Sequence, residues 1–301
     1  MPCDDPVTVV LKDVYRLPDG SYSKTVAVPC NKCAVCRKNK VDEWSFRLRQ
    51  EKKISASSYF VTLTYAKVPR SNNNLPTLFP SDLTKYLKRV RKWMKDDGID
   101  MPALRYYAIG EYGTNFQRPH YHLIVMNATS DHLIEAWCVI DRGTTRKDAT
   151  VPIGNVHIGT VTSDSIAYCV KYLDKGRIVP AHSRDDRVKE FSRMSRNLGA
   201  NYLTPEMVKW HRNDVNRNYC QDGVYKIPLP KYYRDRIYDA VQMAAQREVI
   251  FSSIESRENK EMKQYFLDYP NKSVSDFYKD KQNQKVARND KFVKNGKKRK
   301  I

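Results

Sequence analysis

Arg118-Pro119-His120-Tyr121-His122-Leu123-Ile124-Val125 sets two histidines two residues apart at the entry to an apolar run that predicts a β-strand. Side chains on a strand alternate faces, so His120 and His122 point the same way. Two neutral imidazoles side by side are a common beginning of a divalent metal site. Farther along comes Tyr168-Cys169-Val170-Lys171-Tyr172, with two phenols at helical i, i+4 spacing. A metal that polarises a phosphate and a tyrosine that attacks it are the parts of a nucleic-acid nicking enzyme.

Working outward, Glu111 closes the strand predicted over 104–112, and a loop with Gly113 and Pro119 leads to the strand predicted over 121–126. If the two pair antiparallel, Glu111 approaches the face of the histidines. Two His and one carboxylate leave coordination positions for water or phosphate oxygens, which suits Mg²⁺ or Mn²⁺. A phenol titrating near 10 attacks poorly unless a cation assists it. Lys171, one helical turn from Tyr168, is the candidate for that role.

Upstream, 59–65 is rich in β-branched and aromatic residues and predicts a buried strand. Ser81 is expected to cap a helix with apolar positions at Leu83, Tyr86, Leu87, Val90, Trp93 and Met94, ended by Asp97-Gly98. A short helix from Ser130, a strand over 155–162 and a helix from Ser163 follow. The order β-α-β-β-α-β with a further helix predicts an α+β fold, a ferredoxin/RRM-like antiparallel sheet with helices on one face. The domains expected are a 1–50 segment, a core over 51–182, a mostly helical basic extension over 183–284 and a tail over 285–301. The 1–29 stretch reads as strand-like and leads to a basic helix through Arg49. The tail carries eight Lys or Arg against one Asp and is expected to be disordered.

The 301 residues hold 54 Lys and Arg against 34 Asp and Glu, a net charge of +20. That excess favours a polyanion, because each neutralised phosphate releases counterions. Twenty tyrosines interleaved with cations suit unstacked bases. No apolar run approaches the roughly 20 residues that span a bilayer, so no membrane partner is expected. The acidic start, Met1-Pro2-Cys3-Asp4-Asp5, does not read as a signal peptide, and none is expected. A cytoplasmic setting then makes the seven cysteines thiols or metal ligands. Cys30, Cys33 and Cys36 have metal-like spacing and are candidates for a structural Zn²⁺. Cys3, Cys138, Cys220 or a histidine would supply the fourth ligand; free thiols in a basic loop are the alternative. His132, His157, His182 and His211 have no evident partners and read as solvated or core histidines.

Three motifs in order carry a family resemblance: Phe60-Val61-Thr62-Leu63-Thr64-Tyr65, Pro119-His120-Tyr121-His122-Leu123 and Tyr168-Cys169-Val170-Lys171-Tyr172. The chain resembles the HUH endonucleases, and within them the rolling-circle replication initiators. Gly110-Glu111-Tyr112-Gly113, Arg118 and the upstream cysteines look most like the initiators of microviruses, the gokushovirus-like single-stranded DNA phages. The resemblance covers roughly residues 28–180. It implies that His120, His122 and Glu111 hold a divalent cation against the scissile phosphate. One tyrosine would attack, leaving a 5′-phosphotyrosine and a free 3′-OH; the other would later rejoin the strand. Tyr168 is the choice for the first attack, because Lys171 lies in the next turn.

The implied partners are single-stranded DNA, the replication origin and the host helicase and polymerase, in the cytoplasm of a bacterium. Arg118, Lys175 and the tail cations Lys297, Lys298, Arg299 and Lys300 are candidates for DNA contact, the tail without sequence preference. The rival readings are a non-catalytic single-strand-binding module and a plasmid initiator, relaxase or transposase of the same superfamily.

Overall fold

The computed structural model describes residues 3–16, 22–113, 116–139, 151–171, 179–180 and 182–298. The chain divides into two compact units, Trp44–Tyr202 and a second made of Met1–Glu43 with Leu203–Ile301.

The chain begins with the hairpin β1 (Val7–Arg16) and β2 (Tyr22–Val28), then α1 (Ala34–Lys53). The first unit then runs β3 (Ser58–Thr64), α2 (Pro80–Asp96), β4 (Arg105–Tyr112), β5 (Pro119–Met126), α3 (Ser130–Glu135), β6 (Val156–Thr160), α4 (Ser163–Lys171) and β7 (Phe191–Met194). One antiparallel sheet has the order β6-β3-β5-β4-β7. Its first four strands have the ferredoxin-like arrangement, the earliest strand lying between the last and the third. The fold is α+β, as the element order predicts.

Alternation assigns each side chain to a face. Val61, Leu63, Ala108, Tyr121, Leu123 and Val125 join the core under α2 and α3, with Leu83, Tyr86, Leu87, Val90 and Trp93 from α2. Each large apolar side chain buried there contributes roughly 1.5–3 kcal/mol. Tyr121 stands between the two histidines in sequence but on the opposite face. Its hydroxyl donates to the Phe79 carbonyl at 3.0 Å and lies 2.8 Å from the Tyr65 hydroxyl, which donates to Asp82 at 3.0 Å.

Three local expectations need correction. Helices cover both faces of the sheet, because α4 packs on β4 and β5 opposite α2. There, the ring of Trp44 from α1 meets Tyr107 at 5.1 Å. Helix α2 starts at Pro80 rather than behind a Ser81 cap; proline at the first position brings a helical φ and lacks only an N–H that would have no partner. Its end is as expected, with Gly98 left-handed at φ +66°. The third correction is β7, which continues the sheet within a stretch expected to be mostly helical.

Gly154 permits a close approach beside β3. A Cβ there would lie 2.0 Å from the Thr64 carbonyl oxygen and 2.6 Å from the Ala66 nitrogen. Backbone atoms cannot yield as a side chain would. Gly154→Ala should therefore cost roughly 2–3 kcal/mol, the upper range for overpacking. Thermal unfolding reads this, and an unchanged midpoint would contradict it.

The second unit includes α5 (Pro205–Arg212), the hairpin β8 (Tyr219–Asp222) and β9 (Tyr225–Pro228), α6 (Lys231–Ile237), α7 (Ala240–Asp268) and α8 (Val274–Lys298). A capping box of Asp239 and Gln242 starts α7. Tyr265 packs on Phe277 at 5.3 Å, and Lys281 pairs with Glu258 at 3.0 Å across α7 and α8. Because α8 reaches Lys298, residues 285–298 are helix rather than the expected disordered tail. Lys, Gln, Ala and Arg are good helix formers, and the charge run obscures that propensity. Among the described residues, no helix is long and apolar enough to cross a membrane.

Candidate metal centre and tyrosine

On β5, His120 and His122 leave the sheet on the face opposite the α2 core. The register sets Glu111 of β4 directly across from His120, and Thr62 of β3 directly across from His122. Directly opposed residues share a face, so all four side chains converge. Glu111 is only 3 % exposed. Its Oε1 lies 3.2 Å from His120 Nε2 and 3.4 Å from His122 Nε2.

Helix α4 brings Tyr168 onto this cluster. Its hydroxyl donates to Glu111 Oε1 at 3.0 Å and lies 3.4 Å from His122 Nε2. Phe60, two residues before Thr62 and on the same face, stacks nearly parallel on His122 at 5.6 Å and meets Tyr168 edge-on. Cys169, next in the chain, turns inward and is fully buried.

Hydrogen bonding at the far side of each ring decides what the near side offers. His120 Nδ1 is 3.0 Å from the Arg118 carbonyl, which only accepts, so Nδ1 carries a proton. In the neutral form of that ring, Nε2 turns a lone pair toward the Glu111 oxygen. At 3.2 Å the two atoms can share either a proton or a metal cation. His122 Nδ1 lies 2.9 Å from the Thr62 hydroxyl, which fixes the orientation of that ring. One donor atom from each of Glu111, His120 and His122 falls within 4.8 Å of the other two. This acceptor-rich set fits a divalent cation, with positions left for oxygen ligands.

Burial, and after it the Glu111 charge, pushes the Tyr168 phenol well above its usual range. Lys171 is the last residue of α4, and its side chain lies outside the described residues, as do Tyr172, Lys175, Arg299 and Lys300. Lys297 and Lys298 end α8, their side chains likewise undescribed. The structure thus brings together Glu111, His120, His122 and Tyr168 from four separate sequence positions.

The family model for replication-associated protein ORF2/G2P matches residues 58–177, a span that starts at β3 and takes in all four of these residues. The replication-associated protein ORF2 of Spiroplasma virus 4 is 30% identical over 224 residues, 72% of this chain and 69% of that protein. The chain belongs to the replication-associated proteins of the microviruses. Replication-associated protein VP4 of Bdellovibrio phage phiMH2K is 26% identical over 222 residues, 69% of this chain and 67% of the relative. Replication-associated protein ORF4 of Chlamydia phage 1 is 21% identical over 222 residues, 69% of this chain and 53% of the relative. No solved structure matches the chain. These relatives agree with the motif resemblance to microvirus rolling-circle initiators.

Sequence reasoning did not single out Thr62 or Phe60 as parts of this replication-associated protein's site. Both stand at alternate positions of the first motif, but only the β3–β5 register shows that their face is that of the histidines. Arg118 has two parts to play. Its carbonyl orients His120, and its guanidinium donates to the Tyr65 carbonyl at 2.8 Å. It also lines an open cleft of about 810 Å³ with Lys67 and Arg70.

Proposed function

We propose that this microvirus replication initiator nicks single-stranded origin DNA by attack of Tyr168 at the Glu111–His120–His122 centre. One observation carries the reading: the Tyr168 hydroxyl lies within hydrogen-bonding distance of both Glu111 and His122, so a nucleophile and a donor set for a divalent cation meet at one point. Binding alone requires no such convergence. A bound Mg²⁺ or Mn²⁺ would supply Lewis-acid chemistry, drawing charge from the scissile phosphate.

The chain's own groups do the rest. Glu111 Oε1 accepts the Tyr168 proton along the existing hydrogen bond. The phenolic oxygen bonds to phosphorus, and the phosphorus–O3′ bond breaks. The O3′ takes a proton and leaves as the free 3′-OH that primes synthesis, while the 5′-phosphate remains on tyrosine. Phe60 packs His122 and Tyr168 in place, which limits the motion that would spoil in-line attack. Lys67, Arg70 and Arg118 line a basic cleft suited to the phosphate backbone. Tyr172 would make the second cut, rejoining the ends in the cytoplasm of the bacterial host. Host helicase and polymerase would extend the primed strand.

The test uses labelled single-stranded oligonucleotides tiled across the phage genome, incubated with the protein with and without Mn²⁺ and resolved on a denaturing gel. A metal-dependent cut with a protein–DNA adduct is expected. Tight binding with no cut at any tile would leave a binding module instead.

Thr62→Val keeps the shape of residue 62 and removes only the bond to His122 Nδ1. Its expected effect is a roughly tenfold loss of Mn²⁺ affinity, the lower end for removing a group that orients a ligand. Calorimetric titration measures it. Wild-type affinity in the variant would show that Thr62 does not orient the ring.

A further inference from the structure

Outside the tyrosine site, the four sulfurs of Cys3, Cys30, Cys33 and Cys36 all lie within 4.8 Å of one another. Cys3 Sγ is 3.4 Å from Cys30 Sγ and 3.9 Å from Cys33 Sγ. A zinc ion with sulfurs at about 2.3 Å on tetrahedral corners needs sulfur–sulfur edges of roughly 3.8 Å. We propose that these four cysteines form a tetrathiolate site for a structural Zn²⁺, with Cys3 as the fourth ligand.

The backbone around the cluster supports this independently. Five amides point at sulfur: Lys32 and Cys33 donate to Cys30 at 3.4 and 3.3 Å, Cys36 and Asp4 to Cys33 at 3.5 Å, and Cys30 to Cys3 at 3.3 Å. Such bonds stabilise a sulfur that carries negative charge, as a metal-bound thiolate does. Asn31, at φ +57°, makes the turn that folds the Cys30–Cys33 amides back onto sulfur. Three sulfurs packed merely as apolar groups would not draw five backbone donors.

Competing chemistries fit less well. A disulfide joins two sulfurs and leaves the others without reason to converge. A four-iron cluster places each thiolate on a different iron and spreads the sulfurs wider than a single ion does. The spacing of Cys30, Cys33 and Cys36 places three ligands at the turn into α1, while Cys3 comes from before β1. The ion would close the loop that holds the β1–β2 hairpin. Beside it, Asn289 of α8 accepts from the Ala34 amide at 2.7 Å, and Arg288 pairs with Asp4. The metal would thus lie at a junction of the N-terminal segment and α8 within the second unit.

Elemental analysis of the full-length protein, purified without chelator, tests the site separately from DNA cleavage. About one zinc per chain is expected, kept in the His120→Ala, His122→Ala double variant and lost in Cys33→Ser. Refolding with Co²⁺ should give the intense charge-transfer and visible bands of tetrahedral cobalt bound to four thiolates, weakened and blue-shifted in Cys3→Ser. The cobalt spectrum of the wild-type chain decides the matter even if a cysteine variant does not fold. Folded protein with neither zinc nor a thiolate–cobalt spectrum would overturn the proposal. So would stoichiometric iron, or zinc that disappears with the two histidines.

Discussion

Replacement of Tyr168 by phenylalanine is expected to reduce cleavage of origin single strands by roughly four orders of magnitude or more, as loss of a nucleophile does. DNA affinity should stay within about threefold, because the ring remains and no cation is lost. The structural cost should be small. Phenylalanine fills the same space against Phe60 and His122, and only the hydroxyl's contacts with Glu111 and His122 disappear, typically about 1 kcal/mol net and somewhat more to a charged acceptor. A denaturing gel read alongside a filter-binding curve separates the two effects. Cleavage at the wild-type rate would remove Tyr168 from the first step. Tyr172→Phe, by contrast, should still make the first cut and accumulate the covalent adduct.

Glu111→Gln carries the second large effect. Glutamine matches the carboxylate in shape, but it removes the charge that faces both Nε2 atoms at 3.2 and 3.4 Å. Mn²⁺ affinity should fall by at least about 100-fold, because loss of a ligand exceeds the 10–100-fold typical of losing a group that orients one. Cleavage should fall with it. Stability without metal should change little, because the glutamine oxygen can still accept from Tyr168 and its amide N–H can donate to an imidazole nitrogen. At Mn²⁺ 100 times the wild-type Kd, the wild-type protein should gain roughly 2.7 kcal/mol and the variant far less. Thermal unfolding across a Mn²⁺ series measures this difference. Equal metal-induced shifts in both proteins would exclude Glu111 as a ligand.

Much of this site was legible because strand alternation is rigid. Two histidines at i and i+2 must share a face, and the apolar residue between them must enter the core, as Tyr121 does. Helix α2 was equally readable, since its apolar positions recur at three and four and all become buried. Strand β7 was not. Phe191-Ser192-Arg193-Met194 is too short for a period to emerge, and only pairing with β4 makes it a strand. Placement of α4 opposite α2 was also hidden, because the direction of a crossover is a property of the folded sheet. Cys3 was one of several candidates, a histidine among them, for the fourth ligand beside Cys30, Cys33 and Cys36, since contacts across a hairpin leave no spacing signal. The charge of the C-terminal run masked a helix that continues to Lys298.

Mass spectrometry of the trapped protein–DNA adduct tests tyrosine attack at the metal centre most directly. Trypsin cuts after Lys171 and so separates the two candidate nucleophiles onto different peptides. After Mn²⁺-dependent cleavage and nuclease trimming, the 5′-phosphoryl nucleotide should reside on the peptide ending at Lys171, on Tyr168. Cleavage with no covalent peptide, or a nucleotide borne by Tyr172 alone or by some other residue, would contradict it.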